Sequence, residues 1–196
     1  MPGISIDVND RRIATIDLTG LQTVDVSVRG ALDCEPGAAL TAMGGNYEAG
    51  RCSHLFWIFE QALLHGEVVR ISLDEQCGIA DKGKTIKELF PDAEPSAKTD
   101  FTISDEMAAE IRARPRLRES FIVQGGTSSG QAAQAASDDR NTDFVFGLLW
   151  SSFQPDQVRV RLSTYCFDDV LARTGGTQHL KTMIDLGESA SFSLVQ

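Results

Sequence analysis

The sequence predicts a mainly β, or α+β, fold: two similar antiparallel β-rich modules with a few short helices between and beside them. Several segments alternate apolar and polar residues with the period of a strand. Turn-forming residues separate these segments. A pattern that begins with His-Leu, passes through Gly-Glu and ends in Ser-Leu occurs in the first half of the chain and again at its end. We predict modules at 1–75 and 119–196 with a helical connector at 76–118, or one integrated domain.

The first module begins with a predicted hairpin. In "ISIDVNDRRIATIDL", alternating runs lie on both sides of Asn9-Asp10, a favourable turn pair. Val24, Val26 and Val28 then alternate with polar residues, which is typical of a strand with one wet face. Residues 33–50 are rich in glycine, and we expect a long loop there.

Residues 54–64 fit two structures. As a helix they would start after the N-cap Ser53, but that helix would be apolar nearly all round. Their aromatic and branched side chains favour a strand, followed by a turn near His65-Gly66 and the strand "EVVRISL". The choice between helix and strand stays open for residues 177–186 as well.

The connector carries two helix-start signals. Thr85 and Glu88 have the spacing of a capping box before the short helix "IKELF". Ser104 is a predicted N-cap for the helix "DEMAAEIRAR", which should end by Pro115. The connector is therefore expected to hold two short helices separated by a polar, proline-containing stretch.

The second module opens with the predicted strand "ESFIVQ". Residues 125–142 are rich in Gly, Ser and Ala, so we expect an exposed flexible loop there. The segments "TDFVFGLLWSSF" and "QVRVRLSTY" flank Gln154-Pro155-Asp156 and predict a hairpin. "CFDDVLAR" predicts a short helix before the last repeated segment.

The repeated segments suggest an internal duplication. Gly66-Glu67 matches Gly187-Glu188, and Ser72-Leu73 matches Ser193-Leu194. The His-Leu pairs match only if about four residues are dropped between the two copies. Few identities are involved, so chance similarity is the alternative. In either case the Gly-Glu pair is better explained as a turn into a strand than as a functional site.

Composition excludes several classes of protein. The net charge of −10 argues against binding to nucleic acid, which needs a basic surface. The apolar runs are shorter than the ~20 residues that span a bilayer, and the N-terminus lacks a signal-peptide core. We therefore expect a cytoplasmic protein that contacts no membrane. Its scattered cysteines are expected to be free thiols; they are Cys34, Cys52, Cys77 and Cys166.

Catalytic and metal-binding patterns are weak. Cys52 and His54 suggest a thiol–imidazole pair, but adjacency alone does not make a site. Together with His65 and Cys77 they lack the compact spacing of zinc ligands. "GGTSSG" lacks the Lys-Ser/Thr ending of a P-loop, and Asp168-Asp169 suits the first turn of a helix. We expect no metal and no cofactor, and the balance is against enzymatic activity.

The two predicted loops are the candidate partner-binding surface. Both carry acidic residues, and one carries an aromatic side chain, a combination that suits electrostatic recognition of a protein. Plain solvated loops are the alternative. The candidate residues are Asp33, Glu35, Tyr47, Glu48, Asp138 and Asp139.

One segment of the first module resembles a family of small soluble bacterial proteins that look like immunity partners of toxins. Their shared pattern is His-Leu-x-Trp, an apolar stretch, then Gly-Asp/Glu-x-Val-x-Ile. The residues that match here are His54, Leu55, Trp57, Gly66, Glu67, Val69 and Ile71. The resemblance implies a non-enzymatic protein that neutralises a toxin, and it supplies no catalytic residues.

The leading hypothesis from the sequence is a cytoplasmic protein-binding protein, in its most concrete form a bacterial immunity protein that covers the basic site of a toxin domain. One alternative is an enzyme whose site is assembled between the modules, around Cys52 and His54. The other is a homodimeric structural protein with Phe56, Trp57 and Phe59 at the subunit interface.

Overall fold

The fold is a two-sheet sandwich. The computed structural model describes residues 2–47, 53–93 and 102–195 of the chain. Two antiparallel sheets of six strands each pack face to face around one shared core. Three short helices accompany the strands in the described part of the chain. The predicted fold class is therefore confirmed.

The two halves of the chain form corresponding strands. The first half forms β1 (Gly3–Val8), β2 (Arg11–Asp17), β3 (Thr23–Ala31), β4 (Ala39–Asn46), β5 (Ser53–Ala62) and β6 (Val68–Asp74). The second half forms β7 (Ile122–Thr127), β8 (Ala132–Ala136), β9 (Asp143–Ser151), β10 (Gln157–Tyr165), β11 (Thr177–Asp185) and β12 (Ser189–Leu194). The helices are α1 (Ile86–Leu89), α2 (Asp105–Arg112) and α3 (Phe167–Ala172).

Each sheet takes three strands from each half. Sheet A has the order β2-β1-β6-β12-β7-β8, and sheet B has the order β11-β10-β9-β3-β4-β5. Exchanging β1–β6 with β7–β12 turns each order into its own reverse, which is the arrangement of a twofold repeat. The halves meet at the centre of both sheets, where β6 pairs with β12 and β3 pairs with β9.

The repeated Gly-Glu pair forms the same turn in both halves. Gly66 has φ +82° and Gly187 has φ +88°, a conformation that glycine adopts without steric cost. In each copy the glutamate accepts a hydrogen bond from the backbone amide three residues earlier: Glu67 from Leu64 at 2.8 Å, and Glu188 from Asp185 at 2.9 Å. The pair is therefore a structural turn into β6 and β12.

Aromatic rings join the sheets at the centre of the core. Phe192 of sheet A stacks on Phe144 of sheet B, with ring centroids 5.7 Å apart, and also contacts Phe146 at 5.4 Å. All three side chains are fully buried. Apolar side chains that alternate along β1, β3, β6 and β10 fill the rest of the space between the sheets.

The first part of the connector, around residues 81–84, lies along one lateral edge of the sandwich. Asp81 exchanges hydrogen bonds with Thr15 of β2, and Lys84 pairs with Phe56 of β5 through two backbone hydrogen bonds of 2.8 Å. The predicted capping box of Thr85 and Glu88 is confirmed at the start of α1. The predicted N-cap Ser104 is likewise confirmed at α2.

Two loop predictions were wrong. Residues 33–50 contain β4, in which glycine permits a close approach of strands: a Cβ on Gly45 would lie 1.9 Å from the carbonyl oxygen of Ser53. Residues 125–142 contain the end of β7 and all of β8, joined by a tight turn. Small side chains reduced the sequence signal in both places, but strand pairing depends on the backbone and needs no bulky residue.

The segments whose structure was left open are strands. Residues 54–64 lie mostly in β5, as their aromatic and branched residues favoured, and 177–186 form β11 and the turn after it. The hairpins at Asn9-Asp10 and at 152–156 and the helix α3 are confirmed. No helix in the described ranges is long and apolar enough to cross a membrane.

Gly66→Ala and Gly187→Ala should each lower the free energy of unfolding by about 1–2 kcal/mol, because an L side chain is strained in the left-handed region. The two losses should be similar, since the turns are the same. Urea denaturation measures both. The control is Gly78→Ala, whose Cβ position has open space around it and whose φ lies outside that region. A loss at only one of the two turns would contradict their equivalence.

Candidate functional site

The outer surface of sheet B carries a cluster of cations, which we call the basic face. It consists of Arg29 on β3, Arg159 and Arg161 on β10, and Lys181 on β11. Each side chain is exposed, because these residues alternate with buried ones such as Val28, Val158, Val160 and Leu162. The strands that build the core thus place the cluster on the opposite side of the sheet.

The cations of the basic face form no ion pairs in the described part of the chain, although Asp25 projects from the same face of sheet B. Other arginines of the protein do form such pairs. Arg161 lies directly opposite Lys181 in the ladder between β10 and β11. Like charges in directly opposed positions destabilise a sheet. The face therefore favours an anion bound from outside.

Apolar side chains lie among these cations. Leu149 of β9 is 41% exposed, and it lies directly between Arg159 on one neighbouring strand and Asp25 on the other. Met43 of β4 is the next residue along this row, opposite Asp25. One carboxylate oxygen of Asp25 is buried without a hydrogen-bond partner in the described part of the chain. The face combines positive charge with apolar contact area.

A recess of about 480 Å³ opens at one end of the basic face. Its polar groups include Arg29, Asp143 and Tyr165, and its apolar wall includes Phe56 and Phe59. The two phenylalanine rings meet edge to face with centroids 5.3 Å apart. Arg29 and Tyr165 also line a shallower groove that extends to Arg161. The recess and the basic face therefore form one continuous surface.

Burial changes the ionisation of two groups in the recess. It raises the pKa of Asp143, and the nearby charge of Asp33 adds to this, while a hydrogen bond of 2.7 Å from the Thr142 hydroxyl opposes it. Burial also raises the pKa of Tyr165, an effect that Arg29 opposes. A neutral Tyr165 hydroxyl beside a guanidinium is suited to donate a hydrogen bond to a bound carboxylate.

Three of the acidic residues that were predicted to bind a partner already have contacts within the protein. Glu35 pairs with Arg118 at 3.2 Å, and the Asp139 carboxylate lies 3.8 Å from Arg116. Asp138 is used locally, since its side chain accepts hydrogen bonds from the amides of Arg140 and Asn141. These ion pairs and local hydrogen bonds compete with the partner contacts that were expected of Glu35, Asp138 and Asp139.

The other two described residues of the predicted set, Asp33 and Tyr47, do not lie together. Asp33 is half-buried and lines a cavity of about 510 Å³ that Asp139 also lines, so the structure brings these two together. Tyr47 lies at the opposite end of β4, where its hydroxyl is 2.8 Å from Nδ1 of His54. Glu48 lies outside the described residues. The predicted set therefore does not form one surface.

An arginine-rich stretch supplies the ion-pair partners of Glu35 and Asp139. Residues 112–118 begin at the last residue of α2 and reach the end of β3, where the Leu117 amide donates to the Leu32 carbonyl. Arg112 in the same stretch binds Asp168 of α3 at 2.8 Å. The chain thus supplies internal cations to the acidic groups at this end of the sandwich.

The histidines and cysteines do not converge on one site in the described ranges. His54 contacts Tyr47, while Nε2 of His179 lies 2.8 Å from the Thr164 hydroxyl. Cys52 lies outside the described residues. Burial raises the pKa of the Cys34 thiol, which disfavours its nucleophilic thiolate form. The described residues include no group of metal-ligating side chains large enough to hold an ion.

Sequence reasoning missed the residues of the basic face. The available signal was the alternation in "QVRVRLSTY", which places Arg159 and Arg161 on the same exposed face of one strand. The strongly acidic net charge directed attention away from it. The same alternation places Arg29 on the wet face of its strand, but that Arg29, Asp143 and Tyr165 lie together follows only from the sheet pairing of β3, β9 and β10.

Comparison with protein-family models, with curated proteins and with solved structures finds no match to this chain. The site must therefore be interpreted from its own chemistry.

Asp143→Asn should raise the free energy of unfolding near neutral pH, because it removes a carboxylate whose ionisation burial disfavours. The native state binds this proton more tightly than the unfolded chain, so the destabilisation develops as pH rises above the ordinary carboxyl pKa of about 3.9. Below that pH, Asp143→Asn should therefore leave the free energy of unfolding unchanged. Urea denaturation at acid and neutral pH measures the difference.

The control for this substitution is Glu119→Gln, at an exposed carboxylate in the segment before β7. It should change the free energy of unfolding by less than about 0.5 kcal/mol at either pH. An Asp143→Asn protein that is less stable than the parent at neutral pH would contradict the destabilising role of this charge.

Proposed function

We propose that this chain is a non-enzymatic binding protein that captures an acidic part of a partner protein on its basic face. The observation that carries the proposal is the exposed cluster of Arg29, Arg159, Arg161 and Lys181, which has no ion pair to a described acidic residue. The directly opposed Arg161 and Lys181 strengthen it. A carboxylate placed between them would convert a repulsion into two attractions.

The apolar component of the face supports a protein partner rather than a small inorganic anion. Leu149 and the recess wall of Phe56 and Phe59 offer contact area next to the charges. Protein interfaces combine an apolar centre with arginine and aromatic side chains in this way. The recess has room for one apolar side chain of the partner against Phe56 and Phe59. Its polar side carries the carboxylates of Glu35, Glu60 and Asp143 as well as Arg29 and Tyr165.

The proposal changes the charge of the expected partner. The sequence favoured a basic toxin domain held by acidic loops, but Glu35 and Asp139 already have arginine partners. In the immunity hypothesis, the toxin would instead present acidic groups to the basic face. That relationship to a toxin remains a proposal drawn from the resemblance.

Selection of short random peptides on the immobilised chain tests the proposal. Enriched peptides should carry a net negative charge. Arg161→Glu should weaken the best of them by at least about tenfold, because it places a negative charge in the centre of the face. Fluorescence anisotropy with the labelled peptide measures this change.

The matched control is Arg11→Glu, which makes the same change of charge at an exposed position on β2 of the other sheet. It should alter the peptide affinity by less than about twofold. Enrichment of basic peptides would contradict the proposal and favour the acidic loops. Equal losses in the two variants would show an effect of net charge alone, which also contradicts it.

A further inference from the structure

We infer that the open edge of β11 binds an extended acidic segment of the partner as an additional antiparallel strand of sheet B. This inference rests on the proposed function and specifies how the partner is held. It concerns the backbone of Thr177–Asp185 together with the cations beside it. The partner segment would alternate acidic and apolar residues.

β11 is the last strand of sheet B, and it pairs only with β10 within the described ranges. It is nine residues long, and its ladder with β10 is regular from Leu180 to Asp185, before a bulge at His179. That regular stretch offers a row of backbone groups of the usual length of a strand. An unpaired edge of this kind is a template for another strand. Natural complexes use such edges to bind extended peptides.

The opposite lateral edge shows how this sandwich accepts an extended segment. There the connector pairs Lys84 with Phe56 of β5 in an antiparallel bridge, and Asp81 bonds to Thr15 of β2. By the twofold repeat, β11 corresponds to β5 and β8 corresponds to β2. No described segment covers β11 and β8 in this way. The fold therefore has one covered pair of edges and one open pair.

The register identifies which backbone groups are open. The Leu186 amide donates to the Asp156 carbonyl at 3.0 Å, in the register that pairs Asp185 with Gln157. Hydrogen bonding alternates along an antiparallel strand, so Ile184 and Thr182 face β10 with their backbone groups. Met183 and Lys181 then direct their amides and carbonyls away from β10. The Thr182 hydroxyl donates to the Met183 carbonyl at 3.3 Å, so the open groups are the two amides and the Lys181 carbonyl. These groups would receive the added strand.

Charge defines the partner segment. In an antiparallel pair, residues joined by hydrogen bonds lie directly opposite each other with side chains on the same face. The partner residue opposite Lys181 therefore lies on the basic face, in line with Arg161. A glutamate there would lie beside Lys181 on the side away from Arg161, so Lys181 would be flanked by an anion in place of open solvent. The alternate partner residues face the side of Leu180 and Ile184, which favours apolar residues.

The probe for this inference is an end-blocked peptide that alternates Glu and Val, made in two N-methylated forms. Methylating the glutamate amides removes the donors that antiparallel addition requires, so the affinity should fall by at least about tenfold. Methylating the valine amides should change it by less than about twofold, because those amides face away from β11. Equal effects, or a loss with the valine amides alone, would overturn the inference.

A substitution in β11 tests the same backbone hydrogen bonds. Met183→Pro removes an amide at the open edge without removing a hydrogen bond to β10, a position where proline is tolerated. It should weaken the unmethylated peptide by about tenfold, while Met183→Ala, which shortens the side chain but keeps the amide, should stay within about twofold. Circular dichroism confirms that both variants fold, and the methylated peptides test the inference if the proline variant does not.

The outcomes separate this inference from the proposed function. If Arg161→Glu weakens the Glu-Val peptide while methylation and Met183→Pro leave it unchanged, the basic face binds acidic segments and strand addition is overturned. If none of these changes affects the affinity, both are overturned. If the peptide itself fails to bind while the selected peptides bind, the alternating segment is the wrong partner and the inference fails alone.

Discussion

The two halves of the chain hydrogen-bond to each other at the centre of both sheets, and the rest of the structure depends on this exchange. The Gly66 amide donates to the Leu194 carbonyl at 3.0 Å, and the Gly187 amide donates to the Leu73 carbonyl at 2.8 Å. Each glycine thus binds a leucine in the last two residues of the closing strand of the other half. Without the other half, the central strands of each half would have an unpaired edge in both sheets, so each half depends on the other to complete its sheets. These central strands are β6 and β3 in the first half and β12 and β9 in the second.

The two lateral edges of the sandwich differ, although its strands follow a twofold repeat. One lateral edge is covered by the connector, whose Asp81 and Lys84 pair with β2 and β5. The basic face lies toward the other edge, on β10 and β11, where the described chain adds no strand. The arginines of 112–118 break the symmetry again by neutralising acidic groups at one end of the sandwich. The connector therefore determines which edges are covered, because the repeated strands alone would make the two edges equivalent.

Local sequence patterns predicted the features that depend on local physics. The capping box at Thr85, the N-cap at Ser104 and the alternating strands follow from hydrogen bonds and periodicity within a few residues. The strand β8 was missed because its alanines give little apolar signal, although its backbone pairs normally with β7. The basic face was missed for a different reason: the opposition of Arg161 and Lys181 exists only after β10 and β11 pair.

The net charge of −10 and the basic face can coexist in one protein because they act over different distances. At physiological ionic strength, exposed charges farther apart than about 8 Å are largely screened from one another. Arg161 and Lys181 are ladder partners whose Cα atoms lie about 5 Å apart, so a carboxylate bound beside them is within that distance of the nearer cation. The overall charge therefore gives little long-range attraction to an acidic partner. Affinity must come instead from charge-assisted hydrogen bonds and backbone pairing formed after contact, so slow dissociation rather than fast association should characterise this complex.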